Sequence, residues 1–355
     1  MNWRRPTLIL VLFAGVLTAF LVPALSRATP PGRNGRIAYM VKDRAGRYQV
    51  WVANPDLSGA KKLTHGRSDG GWAVWSPNGK RLAFQSDYQG GRANRLPKHS
   101  TNLFVMNPDG SNLKRLTDST GVSGDAAWSP NGRLIAFDSD RGSRRRFSAI
   151  YVMRATGGKL RRVTRPRRPL SDYKPRFSPD GTHLLFVRAR GTAETAPAAL
   201  FSVRLDGSDL HRLTSYLPRV DDSDWSPDGK QIVFEAYPHG PYGDIYVVPA
   251  TGGRPVDLTP DSYGQADPVW SPDGRKILFL DNGYVNGIGR TGLATMNPDG
   301  SAIHFLSSKN LEAHQPDWEA ISPGTKLKVR NGPLTLLLAP VNGVARIVSV
   351  RGRKE

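Results

Sequence analysis

The pentapeptide WSPDG stands at residues 225–229 and again at 270–274. Near-copies read WSPNG at 75–79 and 128–132, FSPDG at 177–181, and a degenerate WEAISPG at 318–324. The aromatic positions lie 45 to 53 residues apart, a spacing that belongs to repeated supersecondary units rather than to a copied catalytic loop. Each unit has the same internal order. After the turn comes an alternating run such as RLIAFDS (133–139) or QIVFEA (231–236), then a second such as AIYVMRATGG (149–158) or DIYVVPATGG (244–253). A short third run, LKRLT, LRRVT or LHRLT, closes the unit. With the stretch leading into the next aromatic, this makes four strands per unit, with period-two alternation and Gly, Asn and Asp at the turns.

The motif has a physical reason. Proline presets φ for the first central position of a type I turn, Asp or Asn suits the next, and glycine takes the left-handed conformation that ends it. The turn therefore joins the innermost strand of a blade to its neighbour, and the preceding aromatic is expected to bury its ring against the adjacent blade. The first ordered segment, GRIAYMVK (35–42), has no preceding Trp strand but continues with YQVWVANPDLSG and AKKLT, three strands in all, whereas HQPDWEAIS (314–322) is an innermost strand without followers. Together they complete one blade. The expected fold is all-β: a six-bladed β-propeller over 35–322, its ring closed by the C-terminal strand in the N-terminal blade.

The grammar WSPDG, IAF, IYVM, DGG, RLT resembles the WD-like repeats of the TolB-like propeller family, over residues 35–322. Similar grammar occurs in the propellers of prolyl-oligopeptidase-type peptidases and of oligogalacturonate lyases. The resemblance implies the fold and, from TolB itself, a place in the cell envelope. TolB carries an α/β domain ahead of its propeller, whereas only TPPGRNG (29–35) stands here between the leader and the first strand. A peptidase needs a hydrolase domain that the 33 residues after Ser322 do not supply, and the histidines do not align for the lyase metal site.

The N-terminus is read as a leader. MNWRR is a positive n-region, an apolar run follows, and Ser26 and Ala28 are small residues ahead of a cut. Residues 1–28 are therefore a signal peptide or an N-terminal anchor, 29–34 a short linker, and 323–355 a basic, β-rich tail. Export places the protein in the periplasm, outside the cell, or anchored on the outer side of a membrane. It also removes nucleic acid from the partners, although the net charge is +20. That charge points instead to an envelope protein or an anionic envelope polymer, with the membrane reached only through the N-terminal segment if it is uncleaved. The chain has no Cys, which excludes disulfides and thiolate chemistry.

All long connections are expected on one face of the propeller, where binding residues usually sit. Two features fall there. RGSRRR (141–146) and RRVTRPRRP (161–169) should form one basic patch of Arg144, Arg145, Arg146, Arg161, Arg162, Arg165, Arg167 and Arg168, suited to carboxylate or phosphate; the bland alternative is a solvated charge run. Three residues before the repeat aromatics stand Asp125, Lys174, Asp222, Asp267 and Gln315, with His314 beside them. These line the expected channel mouth. Asp125, Asp222 and Asp267 are candidate ligands for a divalent cation such as calcium, or else caps for backbone amides. No catalytic residues are assigned. GRSDG (66–70) matches a nucleophile elbow in letters alone, because a strand and not a helix follows it. The reading is a non-catalytic binding or scaffold propeller with no required cofactor. The alternative is a cation-dependent hydrolase or lyase with its site at the channel mouth.

Overall fold

A computed structural model describes residues 33–352, apart from 66–67, 89–99, 144–145, 192–195, 239, 261–263, 286–287, 290, 307–310, 312, 322–326, 332–333 and 342–343. The proposed leader (1–28), most of the linker, Arg144 and Arg145 lie outside the described residues. Six four-stranded antiparallel sheets form the blades of a propeller. Blade one combines Ala313–Ile321 with Arg33–Lys42, Tyr48–Ala53 and Lys61–Lys62, in that order from the channel outward. The closing register pairs Ile37 with Trp318 and Met40 with His314, so the ring is shut by strands from both ends of the chain.

Blade two runs Gly70–Trp75, Leu82–Ser86, Asn102–Met106 and Lys114–Arg115. Blade three runs Ser123–Trp128, Leu134–Ser139, Ala149–Arg154 and Arg161–Arg162. Blade four is Leu170–Phe177, His183–Arg190, Ala198–Arg204 and His211–Arg212. Blade five is Val220–Trp225, Gln231–Ala236, Asp244–Pro249 and Val256–Asp257. Blade six is Gln265–Trp270, Ile277–Asp281, Gly292–Met296 and His304–Phe305. A small hairpin, Tyr284–Val285 with Ile288–Gly289, is inserted between the second and third strands of blade six. The tail forms its own three-stranded meander, Leu327–Asn331, Leu334–Val341 and Val344–Gly352.

Each piece of the repeat has a job visible in its hydrogen bonds. In the SPDG turns the Ser226 carbonyl accepts the Gly229 amide at 2.8 Å, the Ser226 hydroxyl donates to Asp228 at 2.7 Å, and Gly229 has φ +73°. The threonine ending each RLT run accepts a backbone amide from the third strand: Val50 to Thr64, Leu103 to Thr117 and Ile150 to Thr164, each at 2.9 Å. That bond fixes the two-residue outer strand, which is too short to hold itself by ladder bonds alone.

The core is a ring of six apolar clusters, one between each pair of neighbouring blades. Trp128 of blade three packs on Ala83, Leu103 and Val105 of blade two. Trp270 packs on Val233 and Ile245 of blade five, and Trp318 on Leu278 and Leu293 of blade six. Phe177 fills the same position with Ile150 and Val152 beneath it. Each ring is buried, and truncating one to alanine costs about 3–5 kcal/mol in a packed core. The repeated aromatic is the glue between blades.

Candidate functional site

The innermost strands share a distortion at the end that meets the long connections. Their ladders to the second strand slip by one residue between Gly71 and Val74, Gly124 and Ala127, Tyr173 and Arg176, and Ala266 and Val269. Such β-bulges re-aim a side chain. The bulged residues Trp72, Asp125, Lys174 and Asp267, with Gln315 in the closing strand, have φ of +52°, +47°, +52°, +57° and +51°. Left-handed backbone at non-glycine residues is uncommon, and it gathers at sites where side-chain direction matters. Blade five differs: its slip lies between Val220 and Ser223, and both Asp221 and Asp222 are brought to the same ammonium, that of Lys174.

The result is a cavity of about 520 Å³ at the mouth of the channel. All six residues singled out at the channel mouth line it: Asp125, Lys174, Asp222, Asp267, His314 and Gln315. The Lys174 ammonium bonds Asp221 and, at 2.6 Å, Asp222. Gln315 donates its side-chain amide to Asp222 at 2.7 Å and to Asp267 at 2.6 Å, and its backbone amide reaches Asp267 at 2.9 Å. Arg219 holds the other side of Asp221 at 2.6 Å. On the opposite wall Tyr48 meets Trp72 and His314 edge to face, at 6.2 and 6.0 Å between centroids.

Burial and neighbours set the charges. Burial alone would lower the Lys174 pKa, but Asp222, Asp221 and Asp125 outweigh it and hold the ammonium well above its ordinary value. Glu235 is pushed well up by burial and then by Asp221, Asp267 and Asp222. Asp138 is likewise raised by burial and by Asp125, whose own carboxyl is raised by burial. Tyr237 donates to Glu235. Each blade also braces the next: Gln85 accepts the Asp125 amide and Glu235 the Asp267 amide, both at 3.1 Å.

Among the described residues, Asp222, Glu235 and Asp267 form the group whose oxygens could hold a metal ion, all within 4.8 Å of one another. Asp125 is not in that group, because its carboxyl faces Asp138. Glu235, Asp221, Arg219 and Asp138 were missed from the sequence. A signal existed for two of them. Glu235 and Asp138 follow the central Phe of the second strand, as Gln85 does, at a position that apolar alternation would fill differently.

The basic patch splits in two. Arg168 lies over the Phe147 ring at 5.7 Å, next in sequence to exposed Arg146, so the two segments do meet at the loop face. Arg161 and Arg162 instead form the outermost strand of blade three, on its outer edge and away from the channel. Arg165 and Arg167 connect the two regions.

The TolB beta propeller domain family matches residues 95–190 and 166–327, most of the ring just described. The chain belongs to that family. A TolB homologue of Chlorobium luteolum is 34% identical over 153 residues, covering 42% of this chain and 31% of the relative. An uncharacterized peptidase of Bacillus subtilis, YuxL, is 26% identical over 230 residues, covering 62% of this chain and 31% of the relative. The chain thus spans about a third of the length of these two relatives. Among solved structures, TolB from Acinetobacter baumannii superposes with a TM-score of 0.65 at 22% identity, over 80% of this chain and 66% of that one. Hydrazine synthase of Kuenenia stuttgartiensis gives the same TM-score at 15% identity, over 84% of this chain and 49% of that one, a likeness of fold alone. The TolB-like, six-bladed, ring-closed propeller expected from the repeats is the fold observed.

Proposed function

We propose that this chain is an extracytoplasmic binding or scaffold propeller of the cell envelope. It holds a protein or an anionic envelope component on its long-loop face, around the channel mouth. The observation that carries this reading is the state of the channel carboxylates. Asp221, Asp222 and Asp267 are already engaged by Lys174, Arg219 and Gln315, so the mouth is a pre-built recess with aromatic walls. Preorganisation of this kind favours recognition. The leader-like residues 1–28 and the relationship to TolB homologues support the placement outside the cytoplasm. Among the described residues, no helix is long and apolar enough to cross a membrane.

A photo-crosslinker tests which face binds. Placed at Tyr242 or Asn282, in the loop-face connections, it is expected to capture partners from an envelope fraction. Placed at Asp109 or Asp206, in the opposite tight turns, it is expected to capture none. Adducts confined to the tight-turn positions would overturn the proposal.

One arrangement favours the alternative, a cation-dependent hydrolase or lyase. Asp222, Glu235 and Asp267 converge, the buried Asp222 Oδ1 has no hydrogen-bond partner, and His314 Nδ1 lies 3.6 Å from Asp267. Calorimetric titration with calcium, together with melting in calcium and in chelator, separates the readings. No saturable heat is expected, because the Lys174 ammonium and the Gln315 amide already occupy oxygens of Asp222 and Asp267. A saturable site abolished by Asp222→Asn with Asp267→Asn would make the enzyme reading the better one.

A further inference from the structure

From Arg141 to Ser171 the chain carries eleven cationic residues and no Asp or Glu. Just over half of the net charge of +20 therefore arises in under a tenth of the length. Folding does not disperse it. Arg161 and Arg162 form the outermost strand of blade three, Arg154 and Lys159 flank the tight turn before it, and Arg165 and Arg167 follow in the connection to blade four. All six are exposed, as are Arg146 and Arg168 at the loop-face end. Several arginines elsewhere are paired, as in Arg36 with Glu319, Arg115 with Asp118 and Arg204 with Asp209, and unpaired ones such as Arg133, Arg212 and Arg275 stand apart from one another in sequence. Among the described residues, no carboxylate stands within ion-pair distance of these eight. Two are held in place by rings: Arg162 over Tyr151 at 5.9 Å and Arg168 over Phe147 at 5.7 Å.

Charge on an outer strand also blocks unwanted strand pairing at a sheet edge. That purpose does not explain the pattern. Blades five and six carry Val256–Asp257 and His304–Phe305 on equally short outer strands. The cations also continue beyond the strand, from the tight-turn face to the loop face. A bilayer is a second explanation, and the apolar residues argue against it. An exposed apolar side chain precedes the outer pair in blades two, three, four and six (Leu113, Leu160, Leu210 and Ile303), and in blade five Val256 stands in the pair itself. Since it recurs where the cations do not, it belongs to the repeat and not to the charged edge. What distinguishes blade three is unpaired charge arranged as a stripe.

We infer that the outer edge of blade three is a docking track for a linear polyanion, a polymer with a phosphate or carboxylate on each repeat, lying across the blade from one face of the propeller to the other. Guanidinium groups bind either oxyanion bidentately, and release of the polymer's counterions drives association. The track is separate from the channel mouth. The inference rests on the extracytoplasmic reading only for where such a polymer is met.

The test uses the full-length protein and fluorescently labelled long-chain polyphosphate, followed by anisotropy from low to high salt. Variant one removes five track charges: R154Q, K159Q, R161Q, R165Q and R167Q. Variant two removes five from other surfaces: K61Q, K62Q, R212Q, R254Q and R275Q. Unchanged melting temperatures establish that both remain folded. Variant one is expected to bind roughly 30-fold more weakly with a shallower salt slope, and variant two within about threefold of the parent. Equal losses would reduce the binding to net charge and overturn the track, as would no binding by the parent. Retention on anionic vesicles that excess polyphosphate fails to displace would assign the edge to a membrane instead. A polyuronate arm decides between carboxylate and phosphate. Failure here leaves the crosslinking pattern at the loop face untouched, so the two proposals fall separately.

Discussion

The protein is expected to melt at a higher temperature at pH 5 than at pH 8, and Asp317→Asn to remove much of the difference. Asp317 is half-buried in the closing strand, and its carboxylate accepts the Trp75 backbone amide at 2.6 Å. Burial raises its pKa to about 7, and that of Asp224, which accepts the Trp270 amide at 2.9 Å, to about 6. Both are raised above the unfolded value of about 4. Between the two values the folded state therefore holds protons that the unfolded state has lost. Their contribution to stability is complete below about pH 4 and disappears as pH rises through 6 to 7. A shift of three units corresponds to at most about 4 kcal/mol, which for a chain of this size is a change of several degrees, roughly 5 °C or more. Asparagine keeps an oxygen for the Trp75 amide but has no charge to bury, so the variant should match or exceed the parent at pH 8. A pH slope in Asp317→Asn as steep as the parent's would show that the slope comes from elsewhere. The buried Asp138 and Glu235 act in the same direction. The turn aspartates, including Asp228 with its carboxyl lowered by the Ser226 hydroxyl, act in the opposite one and lose their contribution as pH falls below about 4.

These acids also mark where sequence reading succeeds and where it stops. WSPDG could be read because every letter answers a local demand: a preset φ, a side-chain acceptor, a left-handed glycine. Trp128 and Trp270 could be read because one residue type at a fixed spacing implies one packing role. Closure could be read because the first and last segments were complementary parts of one blade. The channel mouth was legible only in outline. Aligning the repeats placed Asp125, Lys174, Asp222, Asp267 and Gln315 on one ring, and they do line one cavity. Their pairing was not legible, since it depends on bulges. A slipped ladder turns Lys174 toward Asp221 and Asp222, residues 47 and 48 positions later. No local rule gives that contact. Glu235 was hidden in the same way, in a strand whose alternation reads as plain core. The patch of arginines was seen as one surface because chain order was taken for face. Strand order places Arg161 and Arg162 on the outer edge instead.

Lys174→Met should produce the largest loss of stability of any single substitution at the channel mouth. The ammonium is largely enclosed among Asp222, Asp221 and Asp125, and removing one partner of a buried ion cluster costs up to about 3–5 kcal/mol because the remaining charges are left undercompensated. Methionine fills similar volume, so the loss is electrostatic and not a cavity effect. Urea unfolding at pH 8 measures it directly. Two further measurements separate this account from a simple packing defect. Part of the loss should return at pH 5, where Asp125, raised by burial and no longer held down by the lysine's field, takes up a proton. Adding Asp221→Asn and Asp222→Asn to Lys174→Met should restore much of the remainder, since it removes the two carboxylates that the lysine directly pairs, and replacing a buried ion pair by neutral groups of similar shape can be as stable as keeping it. If the triple variant recovers, the Lys174 cluster is dispensable for the fold. Its position, on six strained or bulged strands around an open recess, is then accounted for by what binds there. If it stays as unstable as Lys174→Met, the lysine is a structural keystone of the ring, and the recess is a by-product of closing six blades on buried charge.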